Sequence, residues 1–161
     1  MSSVVDVIVL LKLLHILGAA VLFGTGLGIA FFMFWADRSG DIGAIVSTAR
    51  AVIVADFLFT ATAVVLQPVT GVSLALVQGY ALTEDWIVAS LVLYVMVGIC
   101  WLPVVRLQMQ MRDLAEAAQR EDHQLPAAYH QKMRLWFWLG WPAFFGVMAI
   151  YWLMIAKPEL W

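Results

Sequence analysis

His15 is the residue most able to do chemistry in this chain, because it lies about two turns inside a long apolar run. An ionisable side chain inside such a run is costly to place and usually faces a bundle interior. Neutral imidazole is a good ligand for haem iron or copper. A structural role, with the ring hydrogen-bonded to a neighbouring helix, is the plainer reading. Asp56 is the second such residue. A carboxylate at that depth must be protonated, paired or hydrated. Arg106 should lie at similar depth on the next helix, so Asp56 and Arg106 are expected to form a structural ion pair or a proton relay. Gln67, Thr70, Ser90 and Tyr94 fall in the same half as His15. They can line a polar pocket or serve as ordinary interhelical hydrogen bonders. Met96 and Met148 are candidate second axial ligands to a haem, though no spacing singles them out.

Other chemistries find no support in the sequence. Ser90, Cys100 and the threonines have no evident base, so a hydrolase is not expected and no catalytic residue is assigned. Cys100 is the single cysteine, and no Cys/His zinc spacing occurs, so no metal is expected beyond a haem iron. Gly24-Thr25-Gly26-Leu27-Gly28 follows no strand, so it cannot cradle phosphate. Gly24 and Gly28 make a small-xxx-small pair instead, expected to pack against another helix.

The elements that must position these residues are membrane helices. Hydrophobic residues make up 64% of the 161 and charged residues 12%, with net charge −2 and mean hydropathy +0.92. Runs of about 18 or more apolar residues read as membrane spans. The pattern predicts an all-α, four-helix transmembrane bundle in a single domain, 1–161. Its helices run roughly over 5–35, 45–66 with a kinked continuation to 77, 86–120 and 130–156. Pro68 is expected to kink or end the second helix. The third continues past the membrane through strong helix formers, with Arg112 and Glu116 paired at i, i+4. The first apolar run is too long for a signal peptide and reads as a retained helix.

Seven of the nine Lys and Arg residues flank the first and third loops. Positive charge stays cytoplasmic. Both termini are therefore expected outside (N-out/C-out), with the third helix extended into the cytoplasm. No basic tract exists to hold nucleic acid. The expected surroundings are the lipid bilayer and, for some helix faces, a membrane protein partner or a homo-oligomer.

Leu13-Leu14-His15-Ile16-Leu17-Gly18, Trp101-Leu102-Pro103 and Trp152-Leu153-Met154 before Lys157-Pro158 resemble a family of small four-helix bacterial membrane proteins of unknown function. The resemblance covers the whole chain and implies residence in the bacterial inner membrane. More distantly, Lys12-Leu13-Leu14-His15-Ile16 and Lys157-Pro158 are similar to the two ends of the HemJ family of haem-containing protoporphyrinogen IX oxidases. That resemblance implies haem b with His15 as axial ligand. The chain departs from HemJ at Ser90, where that family has a lysine, and near Phe31, where it has an arginine. Three readings follow: a haem-b-binding redox protein, a non-enzymatic subunit or assembly factor of a larger complex, and a small transporter or metal-handling protein.

Overall fold

A computed structural model describes residues 2–160, with side chains from Val5 onward. Its elements are α1 (Ser2–Ser39), α2 (Ile42–Ala55), a π-helical turn (Asp56–Thr60), α3 (Ala61–Val77), α4 (Asp85–Glu121) and α5 (Ala127–Ala156). The segment from α2 through α3 is one span, so four helices are long and apolar enough to cross a membrane. No strand occurs among the described residues.

Local chemistry sets the helix ends. Gly40 adopts φ +68° after α1. Asp41 then caps α2, its Oδ1 accepting from the backbone N–H of Gly43 at 2.8 Å and of Ala44 at 3.3 Å. That cap starts the helix at Ile42, earlier than apolar patterning alone places it. Gly79 at φ +79° follows α3, and the Tyr80 N–H returns to the Ala75 carbonyl at 2.9 Å. Asp122 and Lys157 end α4 and α5 in the left-handed conformation. α4 has 37 residues and at 1.5 Å per residue is about 55 Å long. It exceeds the roughly 30 Å hydrocarbon layer, as its strong helix formers predict.

Pro68 does not end the second span; it lies inside α3. The break falls earlier, at the π turn, where the Ala61 N–H bonds to the Asp56 carbonyl. Proline removes the N–H that would reach the Val64 carbonyl, four residues back. The Tyr94 hydroxyl on α4 donates to that carbonyl instead. With the orphan acceptor satisfied, the helix passes through the proline.

The two ends of the bundle pack differently. The main core lies at the charged end, where Met33, Ile45, Ala49, Met111, Ala115 and Tyr129 are essentially sealed. The α4 segment beyond Val105 packs against α2 and the start of α5, burying Met111, Ala115 and Ala118. Arg50 Nε meets Glu116 Oε1 at 2.8 Å, and Lys132 Nζ donates to Gln110 Oε1 at 2.8 Å. The expected Arg112–Glu116 pair is absent. Arg112 contacts its neighbour Asp113 at 2.6 Å, and Glu116 is taken by Arg50. Where helices meet water, apolar burial drives association. Toward the termini the two helix pairs, α1 with α3 and α4 with α5, approach each other only sparsely. In lipid nothing squeezes them together, since lipid tails are as apolar as the side chains.

Candidate functional site: an interhelical cavity

Between the two helix pairs lies a cavity of about 860 Å³. Its lining runs from Lys12 and Lys157 at the terminal end, past His15, Gln67, Ser90 and Tyr94, to Asp56, Gln108 and Trp136 toward the charged end. Most of the wall is apolar, with Phe23, Leu27 and Phe144 among its members. Two tyrosines bridge the gap. Tyr94 reaches α3 as described, and the Tyr151 hydroxyl donates to the Ala19 carbonyl on α1 at 2.6 Å. Phe23 packs between Phe144 and Tyr151, with ring centroids 5.8 and 5.7 Å away.

His15 is held by two contacts from α3. Its Nδ1 lies 2.8 Å from Thr70 Oγ1. The single Thr70 hydroxyl proton is already directed to the Leu66 carbonyl at 2.7 Å. In the tautomer that suits this arrangement, Nδ1 carries the proton and donates to Thr70, and Nε2 has the lone pair. The ring also meets the Gln67 backbone, and among the described residues Nε2 has no side-chain partner. Gln67 Nε2 donates to the His15 carbonyl at 2.9 Å. Two glycines make room for this arrangement. A Cβ on Gly18 would collide with the Gln67 amide, and one on Gly71 would stand 3.0 Å from His15 Cε1. By contrast, a Cβ on Gly24, Gly26 or Gly28 would meet nothing within 4 Å. The Gly24/Gly28 pair therefore does not mark a close helix contact within the chain.

Asp56 lies at the other end, only 3% exposed. Its Oδ1 accepts from Trp101 Nε1 at 3.2 Å, while Oδ2 has no partner. Thr60 and Gln108 flank the carboxyl. Arg106 is not brought to it: Arg106 is exposed, and no ion pair of Asp56 occurs among the described residues. The helical rotation decides this. Trp101 and Gln108 are seven residues, two turns, apart on the inward face of α4, and Arg106 lies off that face. The expected Asp56–Arg106 pair is thus replaced by a Trp101 hydrogen bond.

Met96 and Met148 also lie away from the cavity. Their side chains are 39% and 43% exposed, and neither lines it. Met154 does line it, one turn before Lys157. Among the described residues, no group of three or more His, Cys, Asp and Glu side chains could hold a metal ion together. Sequence reasoning missed Tyr151, Thr60 and Gln108. Tyr151 sits among apolar neighbours with nothing to mark it. The i, i+4 spacing of Asp56 and Thr60 was the one available signal.

The model of the DUF2269 family, described as predicted integral membrane proteins, matches residues 9–158. The chain belongs to that family. The match reaches all four spans of this DUF2269 chain, the first from residue 9 onward, and takes in every residue of the cavity described above. It fixes a multi-span membrane protein. No curated protein and no solved structure matches the chain.

Proposed function

We propose that this chain is a membrane redox protein that holds haem b in the interhelical cavity, with His15 Nε2 as its ligand to the iron. The observation that carries the reading is the chain of hydrogen bonds from His15 Nδ1 to Thr70 to the Leu66 carbonyl. Metal-bound histidines are oriented in this way, with the second ring nitrogen donating to an oxygen and the first left free. The cavity of about 860 Å³ lies in the roughly 300–1,000 Å³ range of cofactor sites. Its apolar wall suits a macrocycle. Lys12, three residues before His15 on α1, and Lys157 stand at the terminal end, where cations would meet propionates. The likeness of Lys12–Ile16 to the opening of the HemJ first helix supports the same reading.

The residues present fit one protein ligand to iron. Thr70 fixes the imidazole, Gly71 gives it space, and the two lysines would hold acidic groups at the rim. Haem, when bound, supplies one-electron chemistry. The wall of Phe23, Leu27 and Phe144 would exclude water from the ring faces. Tyr94 and Tyr151 would brace the helix pairs on either side.

The test is the absorption spectrum of the protein purified in mild detergent from cells well supplied with iron. A Soret band is expected in the wild type and should be lost in His15→Ala, with membrane insertion unchanged. Insertion follows total apolar length, which one substitution hardly alters. A colourless wild type that also fails to bind added haemin would overturn the reading. A colourless protein recovered with a larger complex would favour a subunit or assembly role instead.

A further inference from the structure

The charged end of the cavity gathers buried polar atoms that have no partner. Asp56 Oδ2, Thr60 Oγ1, Gln108 Oε1 and Trp136 Nε1 are all sealed and unbonded. Their residues are between 1% and 6% exposed, and all four line the cavity. A buried polar group left unsatisfied is destabilising, and this end of the cavity has several of them beside one carboxyl. Three are oxygens, and two of these, on Asp56 and Gln108, can only accept while the carboxyl is ionised. Thr60 and Gln108 both stand within hydrogen-bonding reach of the carboxyl, and each can donate to its ionised form or accept from its protonated form. The polar groups at Asp56 are Thr60 on its own span and Trp101 and Gln108 on α4; α1, α2 and α3, which pack against the π turn, bring no charged group to it among the described residues. None of them carries a charge. The nearest expected cation, Arg106, is exposed and unpaired with it. Asp56 also opens the π turn, a helix irregularity that recurs at functional sites.

We propose that this end of the cavity is a proton-exchange site, in which Asp56 takes a proton from water at the charged face and gives it up to the cavity. Protonated Oδ2 donates to Gln108 Oε1 or Thr60 Oγ1. On release, the proton passes to a water molecule in the chamber, and Asp56 becomes a carboxylate steadied by the Trp101 N–H. Uptake of a proton from water at the charged face then restores the acid. Only O–H bonds form and break, and no electrons are exchanged. Gln108 lies past Arg106 along α4, so this is the part of the cavity nearest the charged face. The inference is independent of what the cavity binds.

Infrared spectroscopy of the full-length protein in detergent, without added ligand, tests it. Near neutral pH the surface carboxyls are ionised, so a carboxylic acid C=O band should come from Asp56. The band should vanish in Asp56→Asn, shift downward on transfer to D₂O, and fade reversibly as the pH is raised. Should Asp56→Asn fail to fold, Trp101→Phe serves, because losing the donor to Oδ1 should move the band to higher wavenumber. Three results would each overturn the proposal: no acid band, meaning a permanent carboxylate with or without a bound cation; a band indifferent to D₂O, meaning a sealed structural proton; or a band unmoved by Trp101→Phe, which assigns it elsewhere.

Discussion

Tyr94 on α4 donates its hydroxyl proton to the Val64 carbonyl, the one acceptor in the second span that Pro68 leaves without its helical donor. One side chain thereby repairs the ladder and ties the two helix pairs together across the cavity. Tyr151 makes the matching tie to Ala19 from α5.

Tyr94→Phe should lower stability by about 1–3 kcal/mol, the usual cost of a buried acceptor left unmade. Pro68→Ala restores an N–H at that carbonyl. In its background, Tyr94→Phe should cost clearly less. Thermal unfolding of the four proteins in one detergent measures the coupling; additive effects would mean that Tyr94 does not serve the proline.

Asp56→Asn and Arg106→Gln should be additive within about 0.3–0.5 kcal/mol, as for residues that share no partner. Asp56→Asn and Trp101→Phe should not be, because each removes one side of the same hydrogen bond. A coupling energy larger for Arg106 than for Trp101 would restore the ion pair that the sequence suggests.

Thr70→Val keeps the shape beside His15 but removes the oxygen that fixes its ring. Haem affinity should fall about 10–100-fold, the range seen when a ligand's supporting hydrogen bond is lost. Gly71→Ala puts a methyl 3.0 Å from His15 Cε1 and should likewise weaken binding while the fold survives. Haemin titration followed at the Soret band reports both. Unchanged affinity in both variants would detach His15 from the iron.

Single cysteines at Leu82 and Glu159, in a Cys100→Ser background, should react with an impermeant thiol reagent in intact cells. A cysteine at Gln124 should react only after permeabilisation, because the flanking Lys and Arg hold that loop inside. The reverse pattern would invert the orientation.

The helices were legible because apolar length is additive along the chain. Each span could be counted residue by residue, and the α4 extension followed from its helix formers. The chemistry of His15 was legible only as an anomaly, an ionisable group in a wall of Leu and Ile. Its orientation depends on Thr70, 55 residues away, and no spacing rule links residues so far apart. Asp56 shows the same limit more sharply. Depth along the helix pointed to Arg106, but rotation about the axis of α4 decides which residue faces inward, and that turned Trp101 and Gln108 to the carboxyl.

By itself, then, the sequence determined that four helices cross a membrane, which end carries the positive charge, and which polar residues had to be accounted for. Each of those depends on composition along one segment. Tertiary structure alone decided that Pro68 would be bridged rather than break its helix, that the bundle would be sealed at the charged end and open between its helix pairs, and that His15 would be held by Thr70. Those depend on pairings between helices, where a fraction of a turn separates a partner from a lipid-facing neighbour.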